Sequence, residues 1–151
     1  MVIELLLLLG LSWWATIPTD QETGYVLGDV DSALRSVLTV ARNDRYLSSL
    51  GILADNDYRL RVNDTKPYAE EKYTIYLPIW NKLLQRPYDL TTLIVAGIHE
   101  LGHVLCPDSD PDHSDTYNKI ENRLLVLAQT IGVLEKDYRV DPSYVKACCS
   151  G

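Results

Sequence analysis

Positive charge is scarce in this sequence. Fourteen Lys and Arg stand against 21 Asp and Glu, a formal net charge of -7. A protein that grips nucleic acid by neutralising phosphates needs a cationic excess. That class of partner is disfavoured here, although a small local basic patch remains compatible with the composition. Cysteine is equally sparse. Cys106, Cys148 and Cys149 make an odd count and offer no disulfide framework. The adjacent pair Cys148 and Cys149 is poorly placed for a bond with itself, because disulfide geometry wants well-separated Cα atoms. Long hydrophobic runs are also missing. The one apolar stretch, Leu5 to Ile17, falls short of the roughly 20 residues a spanning helix requires. No Lys or Arg precedes it, so it lacks the basic start of a secretory signal. Trp13 and Trp14 would nevertheless suit a membrane interface. Residues 1–18 therefore read in two ways. As an anchor or signal-like segment they would make the protein membrane-associated or secreted; as an apolar element packed on the domain they would leave it cytoplasmic. There is no internal repeat.

What the sequence does contain fits one domain. Its 151 residues, 46% hydrophobic and 23% charged, suffice to bury a core without staples. Residues 19–28, within a stretch rich in Thr, Gly, Asp and Pro, read as a linker. The domain proper then spans residues 29–151. Val30, Leu34, Val37, Leu38 and Ala41 recur at helical spacing, with Asp29 or Asp31 available as a cap. From Arg42 to Leu53 the pattern either continues this helix or breaks at Asn43-Asp44, and Asp55-Asn56-Asp57 marks a turn. Residues 58–62, YRLRV, alternate like a strand. NDTKPYAEE reads as a polar loop. KYTIYLPI, residues 72–79, is β-branched and aromatic, and Pro78 suggests an edge strand that stops by Leu77. NKLLQRPY is a connection.

The clearest helix begins at an Asp89 N-cap. It carries Leu90, Leu93, Ile94, Gly97, Ile98, Leu101, Val104 and Leu105 on one broad face and stops before Pro107. A loop, PDSDPD, leads to a second helix from about Ser114 to Ile131. Its stripe is Tyr117, Ile120, Leu124, Leu127, Ala128 and Ile131, and Gly132 is a natural stop. The tail is irregular.

All three histidines lie between residues 99 and 113. His99-Glu100-Leu101-Gly102-His103 is an HExxH pattern inside the best-marked helix. Four residues advance a helix by about 6 Å and return nearly to the same face. Both imidazoles can then reach one zinc ion at about 2.1 Å. Glu100, one step round the helix, sits beside the metal as a general base for a zinc-activated water. A catalytic zinc site takes three protein ligands plus water. The spacing HExxHxxGxxH fails, because Cys106 and Ser109 occupy its later positions. His113 is the preferred third ligand, since imidazole suits zinc. Asp108, Asp110, Asp112 and Glu121 remain alternatives. Tyr117, Tyr138 and Tyr144 are candidates to stabilise an oxyanion.

The run HELGHVLCPDSDPDHSDTY resembles the active-site segment of the WLM and SprT-like zinc metallopeptidases. There, HExxH is followed after a short variable loop by a third histidine, with an aromatic residue four positions later. His113 and Tyr117 match that pattern. The resemblance extends over the strand at Tyr73–Leu77 and the helix through Gly132, and it is absent from residues 1–30. Two departures stand out: the loop is acidic, and Tyr117 replaces the usual Phe. The resemblance implies an α+β minimal zincin, with a small, mostly antiparallel sheet packed on the HExxH helix and a following helix. It also implies zinc as cofactor on His99, His103 and His113, Glu100 as catalytic base, and a peptide or protein substrate. The edge strand YTIYL is the candidate to receive that peptide by β-addition. Several relatives act on DNA-bound proteins, a role this chain's acidity argues against. The rival readings are a closed, non-catalytic zinc module, with Cys106 or Asp108 as fourth ligand, and a membrane-anchored interaction protein whose HExxH is coincidental.

Overall fold

A computed structural model describes residues 20–50, 58–71, 74–107 and 113–144 of the chain. The N-terminal segment 1–18, the turn at 55–57, the loop residues Asp108, Asp110 and Asp112, and the pair Cys148 and Cys149 lie outside these residues. Among the described residues, no helix is long and apolar enough to cross a membrane.

Helix α1 runs Asp20–Ala41 and buries Val30, Leu34, Val37, Leu38 and Ala41, the stripe its spacing predicts. It starts well before residue 29, so the expected linker 19–28 is helical from Asp20 onward. Packing outweighs local composition here. Val26 and Leu27 lie against the core, while Gly24 and Gly28 face open space, where their weak helix propensity is tolerated. The chain then breaks at Asn43-Asp44. The Asp44 side chain accepts from Tyr46 N and Leu47 N and caps a short helix α2, Arg45–Ser49. Arg123 donates to the same carboxylate at 2.6 Å and ties the last long helix to this corner.

Three strands form the main sheet: β1 (Arg59–Asn63), β2 (Tyr68–Glu70) and β3 (Thr74–Pro78), in the order β1-β3-β2. Three sequence expectations change. The strand expected at the edge, β3, is central. The polar loop NDTKPYAEE contains β2, which is an edge strand. The longest pairing, β1 with β3, is parallel, and within this sheet β2 with β3 is antiparallel. The cause is topological. The chain crosses from β1 to the far side of β3 before returning, and local alternation says nothing about which neighbour a strand will take. Pro78 fits a central strand because it lies two residues past the last β2 pair, Tyr68↔Tyr76. Ile75 and Leu77 turn inward and are fully buried. The expected connection NKLLQRPY is a small hairpin of β4 (Trp80–Asn81) and β5 (Arg86–Pro87).

Helix α3, Leu90–Leu105, starts as expected at Asp89, whose side chain accepts from Thr92 N at 2.8 Å. Helix α4, Asp115–Thr130, starts at Ser114, whose hydroxyl accepts from Tyr117 N. It buries Tyr117, Ile120, Leu124 and Ala128; Ile131, placed on the same stripe by spacing, is 38% exposed just beyond the helix. Helix α3 packs against α1, α4 and the sheet. The result is an α+β arrangement with α3 at its centre. The tail docks on this body: Asp141 N donates to Thr92, and buried Tyr144 meets Tyr88 edge to face.

Candidate metal centre

One face of α3 belongs to the core, through Ile98, Leu101 and Leu105. The neighbouring face carries His99 and His103, one turn apart. His113 arrives from the start of α4. It adopts a left-handed backbone (φ 56°) immediately before the Ser114 cap, and the Asn118 amide donates to its carbonyl at 3.1 Å. This conformation is uncommon for a non-glycine residue, though His is enriched among its users. It turns the chain sharply and brings the His113 ring over α3.

The three imidazoles converge. Their potential ligand atoms all lie within 4.8 Å of one another, and His99 Nε2 and His113 Nε2 are 3.4 Å apart. Two nitrogens held at about 2.1 Å on a tetrahedral zinc would stand about 3.4 Å apart. The donor set therefore fits zinc in its chemistry, and the His99–His113 pair fits it in spacing. His99 and His103 are half-buried and His113 is exposed, so the cluster opens toward solvent.

The other nitrogen of His99 is held from behind. Nδ1 lies 2.7 Å from Glu121 Oε1 and 2.8 Å from the Tyr117 hydroxyl. An ionised carboxylate only accepts, so Nδ1 carries the proton and Nε2 keeps its lone pair toward the other two rings. Burial disfavours charge on both partners, but their mutual hydrogen bond outweighs it. The His99 pKa is raised and that of Glu121 lowered. Glu121, an alternative third ligand by sequence, thus stands behind His99 rather than among the ligand atoms. Carboxylates in that position orient metal-binding imidazoles.

Glu100 faces the sheet side of the site and is 4% exposed. Burial pushes its pKa up to about 7, against the opposing effects of His99 and of the Ala69 main-chain N–H on β2. A carboxyl that titrates near neutrality is suited to accept and return a proton.

Of the three tyrosines considered, Tyr117 is engaged with His99, and Tyr144 is buried against Tyr88. Tyr138 is partly buried and within reach of the charge on Glu121; burial first and that charge second raise its pKa. Cys106 caps α3 from within the core at 1% exposure and is not part of the three-imidazole group. On the opposite side of α4, a cavity of about 370 Å³ is lined by Tyr46, Lys119, Asn122, Arg123 and Val126; no histidine borders it.

Sequence reasoning missed Ala69, and it considered Glu121 as a ligand rather than as the partner of His99. Glu121 lies four residues after Tyr117, hence on the same face of α4. Ala69 was hidden because β2 read as loop.

No family model and no solved structure matches the chain. Two viral proteins are similar in sequence. Uncharacterized protein 042R of Invertebrate iridescent virus 3 is 35% identical over 89 residues, covering 59% of this chain and 52% of that protein. Uncharacterized protein R325 of Acanthamoeba polyphaga mimivirus is 23% identical, covering 92% of this chain and 88% of that protein. The chain thus spans about half the length of the first and most of the second. Neither name states an activity, so the functional reading rests on the site itself.

Proposed function

We propose that this chain is a zinc-dependent metallopeptidase of minimal zincin type. The observation that carries the reading is the convergence of three imidazoles, their ligand atoms within 4.8 Å of one another, beside the buried carboxyl of Glu100. When bound, zinc supplies Lewis-acid chemistry, polarising a carbonyl and acidifying water. The chain's own residues do the rest. His99, His103 and His113 hold the ion, and Glu121 fixes the His99 ring. Glu100 accepts a proton from the attacking water as it adds to the scissile carbonyl carbon. It then delivers that proton to the amine nitrogen as the C–N bond breaks.

The substrate reading shifts from β3 to β2. With β3 central, the strand free to accept an extended peptide on the site's side is β2, whose Ala69 N–H already faces Glu100. A closed, non-catalytic zinc site is less favoured, because Cys106 is committed to the core and the cluster opens to solvent.

The test combines metal analysis with hydrolysis. Wild type purified without a histidine tag should carry about one zinc per chain, the single-ion stoichiometry of such sites. His113→Ala should lose it. Glu100→Gln should keep zinc and lose peptide hydrolysis. Full activity in Glu100→Gln would remove the proposed base, and wild type that takes up no zinc on titration would remove the metal centre.

A further inference from the structure

Tyr117 touches every part of the imidazole cluster. Its ring stacks on His103 with centroids 4.3 Å apart and planes 26° from parallel. The same ring meets His113 at 5.0 Å and His99 at 5.5 Å, both steeply inclined. Its hydroxyl donates to the main-chain carbonyl of His99 at 3.0 Å and lies 2.8 Å from Nδ1 of the same residue. The side chain is fully buried. Space for it comes from Gly102: a Cβ on that residue would lie 3.0 Å from Tyr117 Cε2, tighter than nine in ten real Cβ contacts, so the ring would have to shift by a few tenths of an ångström.

We infer that Tyr117, seated in the slot left by Gly102, is the positioning residue of the metal site. It sets the planes of all three imidazoles and, through its hydroxyl, holds His99 with Nε2 facing its neighbours. This rests on the metallopeptidase reading and deepens it. Two features separate it from ordinary core packing. Bulk alone would be served by a phenylalanine, yet the hydroxyl is spent on His99 and on Glu121, the carboxylate that His99 meets. Moreover, the glycine that admits the ring lies on α3 between the two histidines it orients. Interactions that orient metal ligands are typically worth about 10- to 100-fold in metal affinity.

The experiment measures zinc dissociation constants by competition with a chromophoric chelator, together with circular dichroism of the metal-free proteins. Wild type, Tyr117→Phe, Gly102→Ala, the double variant and His113→Ala are compared. Tyr117→Phe keeps the ring and should fold, yet bind zinc about tenfold or more weakly. Gly102→Ala keeps the hydroxyl but displaces the ring, and should also weaken binding. Because both act through one side chain, the double variant should lose less than the product of the two single losses. Wild-type affinity in Tyr117→Phe, with zinc lost in His113→Ala, would overturn this inference and leave the metal site standing. Multiplicative losses in the double variant would overturn the shared slot. Absence of zinc binding in wild type would overturn both.

Discussion

Replacing Glu100 with glutamine should make the metal-free protein more stable, and only above mildly acidic pH. Glu100 is 4% exposed, and its pKa is raised from 4.5 to about 7, chiefly by burial. Between those values the folded protein holds a proton that the unfolded chain releases. This group's stabilising contribution is therefore fully present below pH 4.5 and is lost as pH rises through about 7. At 1.36 kcal/mol per pKa unit, the loss by pH 8 is about 3 kcal/mol. Glutamine stays neutral throughout and keeps an oxygen for the Ala69 N–H. His99, whose pKa the Glu100 charge helps to raise, titrates in both proteins, so the difference between them reports Glu100 together with its coupling to His99. The assay is urea unfolding in chelator at a series of pH values. The variant should exceed wild type by about 2–3 kcal/mol at pH 8, with the gap closing toward pH 4.5. A gap that does not change with pH would refute the claim that burial of the charge is what raises this pKa.

Two further predictions concern the scaffold. Asp44→Ala removes the α2 cap and should cost about 1–2 kcal/mol in urea unfolding at neutral pH. Burial opposes the charge on Asp44, but hydrogen bonds from Leu47 N and Arg123 prevail and lower its pKa. Its contribution is therefore present above pH 3.8 and lost as pH falls through the folded value, so Asp44→Asn should flatten the acid limb of the stability curve. At Gly97, a Cβ would lie 2.9 Å from Cδ1 of Leu34, which is fully buried between α1 and α3. Gly97→Ala should lose about 1–3 kcal/mol to overpacking, against about 1 kcal/mol gained in helix propensity. A raised melting temperature would show that Leu34 repacks freely.

The helical parts were legible from spacing because burial reads directly as periodicity. The α1 stripe, the Asp89 and Ser114 caps, and the ends of α3 and α4 follow from local chemistry alone. So does the pairing of His99 with His103, since one helical turn fixes it. The strands were harder. β2 forms because Ala69 pairs with Ile75 on β3 and bonds to Glu100, and nothing in the tripeptide Tyr68-Ala69-Glu70 announces that. The parallel register of β1 and β3 is likewise a long-range choice. At the site, His113 could be ranked above the acidic alternatives by ligand chemistry, but its meeting with His99 depends on a left-handed turn. Glu121 was weighed as a ligand; its place behind His99 follows from how α4 packs on α3. The helical residues 20–28 resisted reading because two outward-facing glycines mask a segment held by Val26 and Leu27.

Helix α3 divides its faces between two tasks. Ile98, Leu101 and Leu105 join α1, α4 and the sheet through apolar contacts, and His99 and His103 occupy a neighbouring strip that meets the core at Tyr117. If zinc binds as proposed, it would add to a body whose apolar core is already assembled. On that reading, occupancy would follow the free zinc of the surroundings without assembly or collapse of the chain. A chelator would then silence such a protein as a reversible switch, with activity returning as soon as metal does.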